Sequence, residues 1–130
     1  MSLPSLEIHI PISPTPTFFR MVHTLVGSLR HFGGAYSNAP VILTIGDDVI
    51  QDKQVAKDYP WLKEMGIECR WLDLDLYKRD IYYATALHRF AHPTKADMML
   101  LMDADMVVAR SFEDLVVKLH REQKFGGTIA

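Results

Sequence analysis

Met98-Met-Leu-Leu-Met-Asp103-Ala-Asp105-Met-Val-Val108 is the stretch on which the reading of this chain turns. Five apolar residues run into two carboxylates spaced i, i+2, and apolar residues resume at once. The run predicts a strand, Met98–Met102, buried on both faces of a parallel sheet. Polar groups at the end of such a strand emerge where open α/β sheets bind ligands. In extended backbone an i, i+2 pair projects to one side, so both carboxylates can meet the same ligand. Neighbouring like charges repel, and a divalent cation holding phosphate oxygens is the natural counter-charge.

The three-letter pattern alone is weak evidence. With 11 Asp in 130 residues, about one Asp-x-Asp is expected by chance. A second pair, Asp73-Leu-Asp75, lies in the alternating stretch Trp71–Tyr77 and reads as the solvated side of a strand end. Asp103 and Asp105 differ because they directly follow a wholly apolar run, with no Lys or Arg before Arg110.

Outward from that motif, strands and helices alternate. Leu6, Ile8, Ile10 and Ile12 share one parity and predict a first strand, Leu6–Ile12, with His9 on the polar parity. Thr15 and Pro16 read as N-cap and first residue of a helix. Phe18, Val22, Leu25, Leu29 and Phe32 form its apolar stripe, and Gly33-Gly34 ends it. Val41–Ile45 is a second strand. A short helix is expected at Gln54–Asp58, another turn at Pro60–Met65, and a third strand at Ile67–Leu72. Asp80 caps a helix at Ile81–Ala91, closed by His92-Pro93. After the Met98–Met102 strand, Ser111-Phe-Glu-Asp114 has the form of a capping box, with Phe112, Leu115, Val116 and Leu119 facing inward. Phe125–Ala130 reads as a turn and the opening of another strand, as though a second half followed. The order implies an α/β fold, a mostly parallel sheet with helices on both faces.

Composition bounds the function. At 130 residues and 48% hydrophobic the chain suits one domain, 1–130, with a real core. A net charge of −2 with mixed signs gives no basic patch for nucleic acid. A lone cysteine, Cys69, excludes an internal disulfide and a Cys-cluster metal site, and its apolar setting suggests a packed thiol. Of the six histidines only His88 and His92 stand four apart, and His92 lies past the end of the helix expected at Ile81–Ala91, so no His-x-x-x-His pair shares one helix face, which disfavours zinc. No signal-peptide pattern or membrane-length apolar stretch is visible, so the expected setting is cytoplasmic.

The apolar strand, Asp-Ala-Asp, the apolar triplet and the capped helix together resemble the nucleotide-sugar glycosyltransferases of the A-type fold. Met98–Leu115 looks most like the family that includes glycogenin and the bacterial lipopolysaccharide galactosyltransferases. Gly27-Ser-Leu-Arg30 and Gly126-Gly-Thr-Ile-Ala130 are similar to theirs as well. The resemblance implies a Rossmann-like donor-binding half, with the acceptor site, a further metal ligand and any base beyond Ala130. Such a fragment is expected to show little or no transfer by itself. The donor would be a nucleotide diphosphate sugar, best a UDP-sugar, with Mn²⁺ or Mg²⁺ as cofactor and an unidentified acceptor. Asp105 would ligate the metal, and Asp103 would contact the ribose or the metal. Ala104 would be small where the nucleotide meets the backbone. Pro11, Ile12 and Ser13 would hold the base, Asp47 or Asp48 would accept the uracil N–H, and Arg89 would reach the diphosphate. Capping roles for Asp47 and Asp48, and a plain exposed helix position for Arg89, are the simpler readings.

Three rival classes stand beside this one. A haloacid-dehalogenase-like phosphatase carries Asp-x-Asp after its first strand, whereas here most of the chain precedes the motif. A sugar nucleotidyltransferase would carry a Gly-rich, basic loop after the first strand, and Ser13-Pro-Thr-Pro-Thr17 has no such residue. A non-catalytic nucleotide-binding or scaffold module would keep the fold without turnover.

Overall fold

A computed structural model describes residues 3–46, 57–71, 94–123 and Gly126. The strands are β1 (Leu6–Ile12), β2 (Val41–Ile45), β3 (Ile67–Trp71) and β4 (Met98–Leu101). The helices are α1 (Pro16–Phe32), the single turn α2 (Trp61–Glu64) and α3 (Glu113–Glu122), with a 3-10 turn at Gly34–Tyr36. The strands form one all-parallel sheet in the order β3-β2-β1-β4, which makes this an α/β fold. The predicted helix Ile81–Ala91, Leu72, Asp73, Asp75 and the strand opening after Gly126 lie outside the described residues. So does most of the helix expected at Gln54–Asp58.

β1 is central because both its edges are paired. Ile8 pairs with Val41 on one side and with Leu100 on the other. Leu6, Ile8, Ile10 and Ile12 pack in one core with Val41, Leu43 and Ile45 and with Phe19, Val22, Leu25, Val26 and Leu29 of α1. Each fully buried aliphatic side chain here contributes about 1.5–3 kcal/mol. The opposite parity is buried too. His9 is 0% exposed, and Ile42 and Thr44 beside it are buried as well. The alternation that marked His9 as polar-facing therefore misplaced it. Its Nε2 is hydrogen-bonded to Glu7 Oε1, which partly compensates a buried ring.

α1 begins as its sequence predicts. Thr15 is extended and its hydroxyl accepts the Phe18 N–H, with Pro16 at the first helical position. The inward stripe is Phe19, Val22, Leu25, Val26 and Leu29. Phe18 is half-buried and Phe32 is exposed, because the stripe rotates by one position relative to strict four-and-three spacing. Gly34 has φ +59, and a Cβ there would lie 2.6 Å from Ser111 Oγ. The turn therefore requires glycine both for its backbone and for its close approach to the segment before α3.

Arg30 fastens the far end of α1. Its Nε and Nη2 donate to the Met65 carbonyl (3.1 and 2.8 Å), and its Nη1 donates to those of Ser37 (3.0 Å) and Ala39 (2.7 Å). These carbonyls lie just before β2 and β3, so one side chain sets where both strands enter the sheet. Burial lowers the Arg30 pKa from its ordinary value without threatening its charge.

Two sequence expectations change near the chain's end. β4 is half-buried along its whole length and forms an edge among the described residues, instead of lying buried on both faces. The Ser111–Asp114 capping box does not form: α3 starts at Glu113 after Phe112, with no side-chain cap, and Ser111 Oγ accepts the Glu113 N–H. Val116 faces inward, but Leu115 is exposed. Phe112 instead stacks on Tyr36, whose hydroxyl donates to the Pro4 carbonyl.

The start of β4 is clipped to the start of β1. Asp97 Oδ2 accepts the Ser5 backbone N–H (2.9 Å) and the Ser5 hydroxyl, while the Asp97 N–H donates to Ser5 Oγ. The Ser5 backbone bond, then its hydroxyl, lowers the Asp97 pKa. A lowered carboxyl stabilises the fold above its unfolded pKa, and that gain is lost as pH falls through the folded pKa. Asp97→Asn should therefore flatten the acid limb of a urea-monitored stability profile below the ordinary carboxylate range. Arg30→Met should lower unfolding stability by about 2–3 kcal/mol, since three carbonyls lose a charged donor; chemical denaturation measures it.

Candidate functional site

The site is defined by the sheet's topology. From β1 the strand order runs to β2 and β3 on one side and to β4 on the other, so it reverses between β1 and β4. In open parallel sheets the crevice outside the carboxyl ends of strands at such a point is the usual ligand position. The Ile12 carbonyl accepts the Gly46 N–H (3.1 Å), and the Ser13 carbonyl accepts the Thr15 N–H (2.8 Å). This carries Pro11–Ser13 from the sheet into α1, which has no acidic residue in its first turn. Pro11 and Ser13 are half-buried at this edge, but the Ile12 side chain is 2% exposed and belongs to the core. Only the backbone of Ile12 is left for a ligand.

On the other side of the crevice lie the two acids. The Met102 N–H donates to the His9 carbonyl (3.0 Å), so pairing with β1 extends one bond past β4. The chain then folds into a turn in which the Met106 N–H donates to the Asp103 carbonyl (3.2 Å). The pair thus sits on a turn and not on extended backbone, which corrects the strand-based expectation. Ala104 is 4% exposed and points into the core, and both its neighbours, Asp103 and Asp105, are exposed. Inward packing of Ala104 replaces strand alternation as the reason both carboxylates face water. Ala104 belongs to the core cluster, where a small side chain is accommodated.

The donor chemistry fits Mn²⁺ or Mg²⁺ in part. Two carboxylates are hard oxygen ligands of the right kind. Among the described residues no group of three or more His, Cys, Asp or Glu is placed to hold an ion. An ion held by these two carboxylates alone would draw its remaining ligands from water or from a bound group.

One contributor was missed by sequence reasoning. Ser28 of α1 donates its hydroxyl to the Leu25 carbonyl (2.6 Å) and accepts the Val108 N–H (2.8 Å). The signal available was a hydroxyl residue flanking an otherwise apolar helix stripe. Asp47, Asp48 and Arg89 lie outside the described residues. Cys69 is half-buried, and burial together with Glu68 raises its pKa, which opposes a nucleophilic role.

An apolar groove of about 750 Å³ runs along β4, lined by Met99, Leu101, Val107, Leu115 and Leu119 among others. Met102 and Val107 border it on either side of the acidic turn, but neither Asp103 nor Asp105 lines it. Asp97 and Arg110 are the charged residues in its lining. Among the described residues no helix is long and apolar enough to cross a membrane. No protein-family profile matches the chain, and no curated protein matches it significantly.

The turn's packing is testable apart from any ligand. Ala104→Leu forces three extra carbons into a filled position and should cost about 1–3 kcal/mol of unfolding free energy. Urea denaturation measures this.

Proposed function

We propose that this domain binds a nucleotide diphosphate sugar, best a UDP-sugar, as the donor-binding part of a metal-dependent glycosyltransferase with a Rossmann-like nucleotide-diphospho-sugar transferase fold. The observation that carries the reading is the pair Asp103 and Asp105, exposed on one turn at the carboxyl end of β4, across from the end of β1. Asp105 is the direct metal ligand, and Asp103 contacts the ribose or shares the ion. Pro11 and Ser13 border the base from the β1 side. When bound, Mn²⁺ or Mg²⁺ supplies Lewis-acid stabilisation of the charge gathering on the departing diphosphate. The turn's own task is to hold two negative groups at a fixed place in water, where charge on the ligand alone would be repelled.

A non-catalytic nucleotide-binding module and a phosphatase of the dehalogenase type make different predictions. Calorimetric titration with UDP should show binding that requires Mn²⁺ and disappears with chelator. Asp105→Ala should weaken metal-dependent binding at least tenfold, about 1.4 kcal/mol. Equal binding with and without metal would favour the scaffold reading. Hydrolysis of a generic phosphate ester without UDP binding would favour the phosphatase.

A further inference from the structure

We infer that Ser28, on α1, is a positioning residue for the acidic turn, setting how Asp103 and Asp105 stand over the sheet edge. The inference rests on the proposed reading of those two carboxylates as the metal site. Upstream, the turn is held by the Met102 N–H on the His9 carbonyl and by Ala104 in the core. Downstream it has much less support. Residues 107–110 belong to no helix or strand, and Met106 and Val107 are 42% and 61% exposed. Among the described residues, the Val108 N–H to Ser28 Oγ bond is the one hydrogen bond tying 107–110 to the rest of the fold.

The hydroxyl is suited to the task by its own geometry. Its proton is committed to the Leu25 carbonyl at 2.6 Å, one helical turn back, so the oxygen faces Val108 only as an acceptor. A hydroxyl free to rotate would offer a looser anchor. Val108 is 6% exposed, so its side chain fills the core while its N–H is fixed to α1. The turn is thereby strung between β1, which aligns Met102, and α1, which aligns Val108. Removing the hydroxyl releases the downstream end without touching either acid.

The test measures UDP affinity at saturating Mn²⁺, thermal midpoint and hydrogen exchange of the Val108 amide in wild type, Ser28→Ala and Ser28→Cys. Wild type should bind. Ser28→Ala should bind on the order of tenfold more weakly, with faster Val108 exchange, because a partly buried donor loses its partner. Ser28→Cys, which keeps a weak acceptor of similar size, should fall between the two and carries the comparison if the alanine variant does not fold. A lower midpoint with unchanged UDP affinity would mean that Ser28 is merely structural, and would overturn the inference while leaving the metal site standing. Absence of Mn²⁺-dependent binding in wild type would instead sink the metal-site reading, and this assignment with it.

Discussion

β1 is clamped between parallel neighbours on both edges, and every other placement in the molecule follows from that. Its register with β2 and with β4 is fixed at Ile8, which faces Val41 on one side and Leu100 on the other. A shift of one residue would turn Ile8 and Ile10 away from α1 and bring Glu7 and His9 against it. That exchange would place a carboxylate and an imidazole in the apolar core formed with Phe19, Val22 and Leu25. The hydrophobic parity of one strand thus fixes the positions of two loops: Pro11–Ser13 at the end of β1, and the acidic turn one step beyond β4.

Polar groups then pin what apolar packing leaves loose. Arg30 reaches three carbonyls just before β2 and β3, and Asp97 joins the starts of β1 and β4 through Ser5. Both devices act at the amino ends of the strands. At the carboxyl ends, among the described residues, Gly46 joins Ile12, Met102 joins His9, and Val108 joins Ser28.

The sequence disclosed the elements whose signal is local. Parity marked β1, the Thr15-Pro16 pair marked the start of α1, and the apolar run before Asp103 marked β4. It misjudged features that depend on what packs across the sheet. His9 occupies the polar parity of an alternating strand, yet a parallel sheet buries both faces, and its partner Glu7 stands only two residues away. β4 has the composition of a doubly buried strand but occupies an edge among the described residues. Ser111 matched a capping box, whereas its position against Gly34 left it to meet only the Glu113 N–H. Ser28 was invisible for a related reason. A serine beside a helix stripe looks neutral until the chain 80 residues later returns to it.

The acidic turn was legible as residues but not as geometry. Strand alternation would have set the two carboxylates side by side along one direction; a turn with Ala104 inward lets both reach water from a curved backbone. On the proposed reading, two exposed carboxylates with no third ligand grouped beside them among the described residues would hold a divalent ion weakly, since most of its coordination shell would stay water. On the same reading, a diphosphate alone would meet two negative charges here and be repelled. Each partner would then supply what the other lacks: the ion would cancel the repulsion, and phosphate oxygens would complete the ion's shell. On the proposed reading the two bind with positive coupling, and linkage requires that nucleotide tighten metal by the same factor that metal tightens nucleotide.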